Sequence, residues 1–269
     1  MTELTPLRIW YISKYVSLPG FGVAGLRGYS LMQELSKVGH TITIITSDSN
    51  HLIDPPIFTG PHFIQNISGL SVCWVRTFKY FSSRSFRRVL SWLHFEWRCL
   101  FLPYNSFGRP DVVIVSSLSL FTILNGLLLR LIYKCTLIFE VRDIWPLTLI
   151  EEGGFSSFNP LTILLRLLEY LAYRFSDAIV GTMPNLGIHV DNVLGFHKPT
   201  YCIPMGVDSS SSLVRSELDV DFVNTYFPKA KLIIAHVGSI GTTNALDAFF
   251  ECASLMAEVP SIHFLVIGD

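Results

Sequence analysis

Short, uninterrupted apolar runs alternate along this chain with longer stretches of helical periodicity, and that alternation limits the folds open to it. Leu7–Ile12, Thr41–Thr46, Leu70–Val75, Val112–Ser116, Thr136–Val141, Ala178–Thr182 and Thr200–Ile203 read as strands. Val23–Lys37, Ser85–Leu102, Leu120–Tyr133 and Pro160–Phe175 read as helices, the last with Asn159 as cap and Pro160 in its first turn. Strands that are apolar throughout belong to parallel sheets covered on both faces. The expected class is α/β: a doubly wound, Rossmann-like parallel sheet between helical layers.

The pattern changes after Pro204. Met205–Tyr226 holds four consecutive serines, Ser209–Ser212, and reads as a surface linker. The theme then restarts with strand Leu232–Val237, a Gly-rich turn, helix Asn244–Ala257 and strand His263–Ile267. The expected organisation is an N-terminal domain over 1–204, a linker over 205–230 and the beginning of a second Rossmann-like domain over 231–269. That last stretch, at about 40 residues, is too short to close its own core.

Composition removes several function classes. Half of the 269 residues are hydrophobic and 15% are charged, which excludes disorder and coiled coil. A net charge of -1 and a pI near 6.7 argue against nucleic acid as partner, since phosphate binding needs a cationic surplus. Mean hydropathy is +0.44, which leaves contact with a membrane or a protein surface open. Val112–Leu129 runs 18 residues without a charge, the length of a membrane span, but divides at Ser116–Ser117 into strand, turn and helix. Cys73, Cys99, Cys135, Cys202 and Cys252 are scattered singly, as expected of small buried residues in a reducing compartment. With no basic and apolar leader at the N-terminus, the expected location is cytoplasmic.

Four segments carry possible chemistry. Gly20-Phe21-Gly22-Val23-Ala24-Gly25 follows a strand and opens a helix, where glycines and free N–H groups suit a diphosphate. The seven-residue loop Ser13–Pro19 separates it from the strand end, unlike a dinucleotide turn. Asp48 nevertheless leaves a nicotinamide-dependent oxidoreductase open, with Asp48 on the ribose. Glu140-Val141-Arg142-Asp143-Ile144-Trp145-Pro146 puts charge at the carboxyl end of an interior strand. There Arg142 suits a phosphate or carboxylate and Asp143 a sugar hydroxyl or proton transfer, or Arg142 forms a structural ion pair with Asp143 or Glu140. Gly238-Ser239-Ile240-Gly241 is a second anion candidate at a strand–helix turn. Phe78–Tyr104 sets Lys79, Arg84, Arg87, Arg88 and Arg98 among Trp92, Trp97 and several phenylalanines, against the single acid Glu96. That composition fits a membrane surface or a lipid substrate, or a helix that packs its rings and solvates its arginines. The histidines show no metal-ligand spacing, and neither a GxSxG elbow nor a Walker loop is present.

In their order, these segments resemble family 4 glycosyltransferases of the GT-B fold, in the bacterial branch that builds surface polysaccharides. The similarity runs from Tyr11–Gly25 through Gly39-His40-Thr41-Ile42-Thr43, Arg109-Pro110-Asp111, Val141-Arg142-Asp143-Ile144-Trp145-Pro146 and Ser176-Asp177-Ala178. It continues through Ile203-Pro204-Met205-Gly206-Val207-Asp208 to Gly238-Ser239-Ile240-Gly241 and Gly268-Asp269. The resemblance implies two Rossmann-like domains, the first for the acceptor and the second for most of the nucleotide-sugar donor. It implies retaining transfer without metal or cofactor. Gly20 and Gly22 would lie by the donor phosphates or the acceptor, Arg142 and Asp143 beside the transferred sugar as catalytic residues, and Gly238, Ser239 and Gly241 by the diphosphate. A lipid-linked saccharide acceptor would give Arg84, Arg87, Arg88 and Trp92 a membrane or acceptor role, at the inner face of the plasma membrane. Thr242 stands where many relatives carry Arg. The family's later Lys and paired glutamates would fall beyond Asp269, so the expectation is a chain that is inactive or nearly so, cut from a longer active parent. The non-enzymatic alternative is a membrane-associated remnant that still binds acceptor or partner.

Overall fold

The computed structural model describes residues 5–22, 27–50, 53–80, 86–151, 153–206, 219–227, 232–238, 240–241 and 244–268. The chain divides into two compact units, 1–208 and 209–269. The first opens with β1 (Arg8–Ile12), α1 (Arg27–Lys37), β2 (Thr41–Ser47), β3 (His62–Ile67), β4 (Leu70–Val75), α2 (Phe86–Cys99) and α3 (Tyr104–Phe107). It continues with β5 (Val112–Ser116), α4 (Thr122–Tyr133), β6 (Thr136–Val141), α5 (Leu147–Glu151), α6 (Pro160–Phe175), β7 (Ala178–Gly181), α7 (Leu186–Leu194) and β8 (Thr200–Cys202).

Eight strands form one sheet in the order β3-β4-β2-β1-β5-β6-β7-β8. All neighbours are parallel except β3, which pairs antiparallel with β4 at the edge. The α/β class with a mostly parallel sheet is as expected, and the antiparallel edge strand β3 is an addition to it. The missed strand β3 has no fully buried residue, and His62, Gln65 and Asn66 interrupt its apolar residues, so no long apolar run announces it. Alternate residues of β1 feed the two sides, with Trp10 and Ile12 in one core and Ile9 and Tyr11 in the other. Side chains of α2, α4, α6 and α7 build the Trp10 side, while Tyr29 and Met32 of α1 build the Tyr11 side.

Local signals explain the helix ends. Asn159 Oδ1 accepts from Leu161 N at 2.9 Å and Pro160 occupies the first turn of α6. At the end of α1, Gly39 takes a φ of +100°, and its N–H and that of His40 return to Ser36 and Leu35. The start of the expected helix at Val23 lies outside the described residues, and α1 is described from Arg27. Cys73, Cys99 and Cys135 are buried, but Cys202 and Cys252 are exposed, contrary to the expectation for all five.

In the second unit, α8 (Val220–Tyr226) forms within the segment read as linker, capped by Asp219, whose carboxylate accepts from Asp221 N and Phe222 N. The parallel strands β9 (Leu232–Val237) and β10 (Ile262–Ile267) then flank α9 (Leu246–Leu255), joined by the edge contact of Phe249 with Phe264 at 5.4 Å.

The α4 helix lies close against the sheet because position 126 has no side chain. A Cβ on Gly126 would stand 2.8 Å from Val115 Cγ1 and 3.0 Å from Leu137 Cδ1. Alanine gains about 0.5–1 kcal/mol of helix propensity, but overpacking a core costs about 1–3 kcal/mol. Gly126→Ala is therefore expected to lower stability by about 1 kcal/mol, read as an earlier denaturant midpoint; a later midpoint would show that the helix relaxes away freely.

Candidate functional site

The chain leaves β1 toward β2 and β4 on one side and later returns through β5 to β8 on the other. The reversal falls between β1 and β5. In open α/β sheets ligands occupy the crevice outside the carboxyl ends of the strands at such a point. Here it is lined by the loop after β1, the Ser116–Ser117 turn after β5 and the Arg142–Asp143 turn after β6.

The last turn is fixed from below. Ser117 Oγ accepts from Arg142 N at 2.8 Å, and Ser117 N donates to Glu140 O at 2.8 Å. Glu140 is fully engaged: it accepts from the Tyr11 hydroxyl at 2.7 Å and faces Arg27 Nε at 3.4 Å. Arg27 donates from its other two nitrogens to Ile203 O and Pro204 O, both at 2.7 Å. That single guanidinium joins the start of α1, the end of β6 and the chain beyond β8.

Arg142 makes no such commitment. Among the described residues its guanidinium has neither an ion pair nor a hydrogen bond, so it does not form the structural pair with Asp143 or Glu140 that was the alternative. Asp143 remains open to water along one edge. Partial burial raises its carboxyl above the usual aspartate value, against the pull of Arg142 and Arg88.

Arg88 and Trp92 enter the same neighbourhood from α2. The Trp92 indole meets the Trp145 indole edge-on at 6.2 Å and donates to the Tyr15 hydroxyl at 2.7 Å. Tyr80 donates to the same hydroxyl at 2.9 Å. The Arg88 guanidinium lies over both the Tyr15 and Trp92 rings. Lys14, fully buried, sits over Tyr15 at 4.5 Å and donates to Ser49 O at 2.9 Å. Burial, reinforced by Arg88, lowers the Lys14 amine to about 7, with Asp48 and Glu96 opposing. Sequence reasoning missed Lys14, Tyr15 and Tyr80, because only the fold gathers them.

The predicted residues separate. Arg142, Asp143, Arg88 and Trp92 share one neighbourhood. Arg87 is exposed, beside a groove of about 270 Å³ lined by Phe78, Lys79 and Leu90. Arg84 and Ser239 lie outside the described residues, as do Thr242 and the glycine at 25. Gly20 and Gly22 adopt φ of +82° and +130°, in a loop whose Phe21 packs on Trp74 and accepts from Asp54 N. In the second unit, Gly238 N donates to Ile267 O and Gly241 O accepts from Asn244 N, just before α9. Asp48 is occupied: it accepts from Thr77 N at 2.9 Å and pairs with Lys79. It is not free to receive a ribose. Among the described residues no three His, Cys, Asp or Glu side chains gather as a metal would require.

Residues 27–211 match Glycosyltransferase Family 4. The chain belongs to that family. No curated protein matches the chain. The catalytic domain of Starch Synthase IV from Arabidopsis thaliana, bound to ADP and acarbose, is similar with a TM-score of 0.68 and 12% identity, over 98% of this chain and 69% of that one. Arabidopsis thaliana UGT89C1 complexed with quercetin gives 0.50 and 14%, over 98% and 70%. At those identities the likeness establishes the fold, an α/β architecture with a mostly parallel sheet of the GT-B type. With the family established, the oxidoreductase alternative is set aside.

Glu96 links α2 to the β5–α4 turn, accepting from Thr122 at 2.7 Å, Ser119 at 3.2 Å and Asn125 at 2.6 Å. Burial raises its carboxyl to about 7, although those hydrogen bonds and Lys14 oppose the shift. A pKa raised by folding stabilises most below the unfolded value, and that contribution fades as pH rises from about 4.5 to about 7. Glu96→Gln stays neutral and is expected to gain stability relative to the native chain by on the order of 2 kcal/mol between pH 4.5 and 7. Denaturant midpoints of both proteins across that window would reveal it, and parallel curves would refute it. Arg27→Met strands the buried Glu140 carboxylate and is expected to cost about 3–5 kcal/mol, measured in the same way.

Proposed function

We propose that this chain transfers a sugar from a nucleotide-sugar donor to a lipid-linked saccharide acceptor, with retention of anomeric configuration and without a metal ion. The setting we propose is assembly of a bacterial surface polysaccharide (O-antigen, capsule or exopolysaccharide) at the cytoplasmic face of the inner membrane. The observation that carries this reading is the uncommitted Arg142 guanidinium at the strand-order reversal, two residues beyond a Glu140 wholly taken up by Arg27 and Tyr11. A cation there can neutralise charge that develops on a departing diphosphate. Asp143 beside it can accept a hydrogen bond from a sugar hydroxyl.

The acceptor belongs to the first unit. The Tyr15–Arg88–Trp92 cluster offers the Arg88 guanidinium for a lipid-linked phosphate and ring faces for a sugar, over the buried Lys14. The loop of Gly20 and Gly22 borders donor phosphates or acceptor. In the second unit, Gly238, Ser239 and Gly241 are assigned to the donor diphosphate at the turn before α9. That the similar starch synthase holds ADP and acarbose supports a nucleotide and a saccharide as ligand classes. Mean hydropathy of +0.44 and the exposed Arg87 support contact with a membrane. Among the described residues no helix is long and apolar enough to cross one.

The test is transfer of labelled sugar from UDP- and GDP-sugars to a lipid-linked saccharide, with and without a chelator. Retained configuration and indifference to the chelator are expected. Inversion, a metal requirement, or tight nicotinamide binding with no response to UDP or GDP would overturn the reading. Arg142→Ala is expected to lower kcat by about 10²–10³-fold while moving the unfolding midpoint little, because among the described residues no hydrogen bond or ion pair of its guanidinium is lost.

A further inference from the structure

The three longest described helices, α2, α4 and α6, lie side by side: α4 packs against both of the others, and all three cover the Trp10 face of the sheet. Each turns an apolar stripe inward, as a covering layer must. Each also turns one outward. On α2, Leu90, Leu93 and Trp97 are exposed at helical spacing and lead on to Phe101, 67% exposed. On α4 the outward positions are Leu124, Leu128, Leu131 and Ile132, with Leu131 at 77%. On α6 they are Ile163, Leu164, Leu167 and Tyr170. A helix facing water carries polar residues on that side, and adjoining apolar stripes of this breadth mark an interaction surface.

The charges on the layer have one sign. Its only acids, Glu96 and Glu169, are buried, whereas Arg87, Arg166 and Arg174 are exposed and Arg98 and Arg130 are half-exposed. Arg130 pairs with Asp177, just after α6, at 2.6 Å. A second copy of the chain docked twofold on this face would bring a cationic surface against itself. Lipid phosphates would supply the negative charge the face lacks.

We infer that the outer face of the α2–α4–α6 layer docks on an anionic lipid bilayer. Its leucines and isoleucines enter the acyl boundary, Trp97 and Phe101 lie at headgroup depth, and the arginines meet lipid phosphates. The inference deepens the lipid-linked reading above by naming the surface that makes the contact. It also moves that contact away from Arg88 and Trp92, which point into the Tyr15 cluster.

Flotation of the protein with phosphatidylglycerol–phosphatidylcholine vesicles, against vesicles of phosphatidylcholine alone, tests this without donor or acceptor. A failure here is therefore separate from a failure of sugar transfer. Binding to the anionic vesicles is expected, weaker by about fivefold for Arg166→Gln and by about tenfold or more for Leu131→Glu or Leu167→Glu. These three side chains project into water, and circular dichroism and the thermal midpoint would confirm that the variants fold. Failure of the native chain to float, or undiminished flotation of both glutamate variants, would overturn the inference. So would a dimer in vesicle-free buffer that Leu131→Glu converts to monomer, which would assign the face to a second copy.

Discussion

A guanidinium and a carboxylate buried together are stable only when nearly every polar atom of both finds a partner, because taking each charge out of water costs several kcal/mol. Arg27 and Glu140 come close to meeting that condition. The tyrosine of β1 donates to the carboxylate, and the two carbonyls beyond β8 accept from the guanidinium. The result is geometric as much as energetic. The first turn of α1, the exits of β1 and β6, and the segment leaving the sheet are fixed to a common point. Arg142, two residues past that point and tied by its amide to Ser117, takes its place from this arrangement and contributes nothing to it. The fold thus separates a charge that holds structure from a charge that remains available for chemistry.

The α2 helix shows how one element serves two environments. Successive residues on a helix point about 100° apart, so Arg87 and Arg88 cannot share a role. Arg88, Trp92 and Glu96 turn toward the strand ends, where aromatic rings and hydroxyls satisfy them. Leu90, Leu93 and Trp97 turn outward. Read as bare composition, the helix is merely basic and aromatic; folded, it divides into a polar inner edge and an apolar outer one.

Much of the fold is legible in the sequence because buried parallel strands are apolar throughout, and β1, β2, β4, β5 and β6 announce themselves in this way. The edge strand β3 does not, since none of its residues is fully buried and polar side chains break its apolar sequence after two residues. Four other elements escape notice for related reasons: α3, α5 and α7 are short, and α8 lies in a polar, serine-rich stretch that resembles a linker. The position of Arg142 and Asp143 at a strand end is also readable, from apolar residues running straight into charged ones. What cannot be read is partnership at a distance. Glu140 meets an arginine 113 positions upstream in the chain, and Lys14, Tyr15 and Tyr80 converge on α2 only once β1 and β4 lie in the same sheet. Spacing rules describe neighbours in sequence, and these are neighbours only in space.

The helices of a doubly wound domain run alongside the strands they cover. A molecule resting on its α2–α4–α6 layer would therefore hold its sheet flat above the bilayer, with the strands parallel to the membrane plane. The crevice at the carboxyl ends of β1, β5 and β6 would then open sideways, along the lipid surface rather than into it. A substrate anchored in the membrane would reach it by lateral diffusion, in two dimensions and at a fixed height, while a water-soluble one would arrive freely from above.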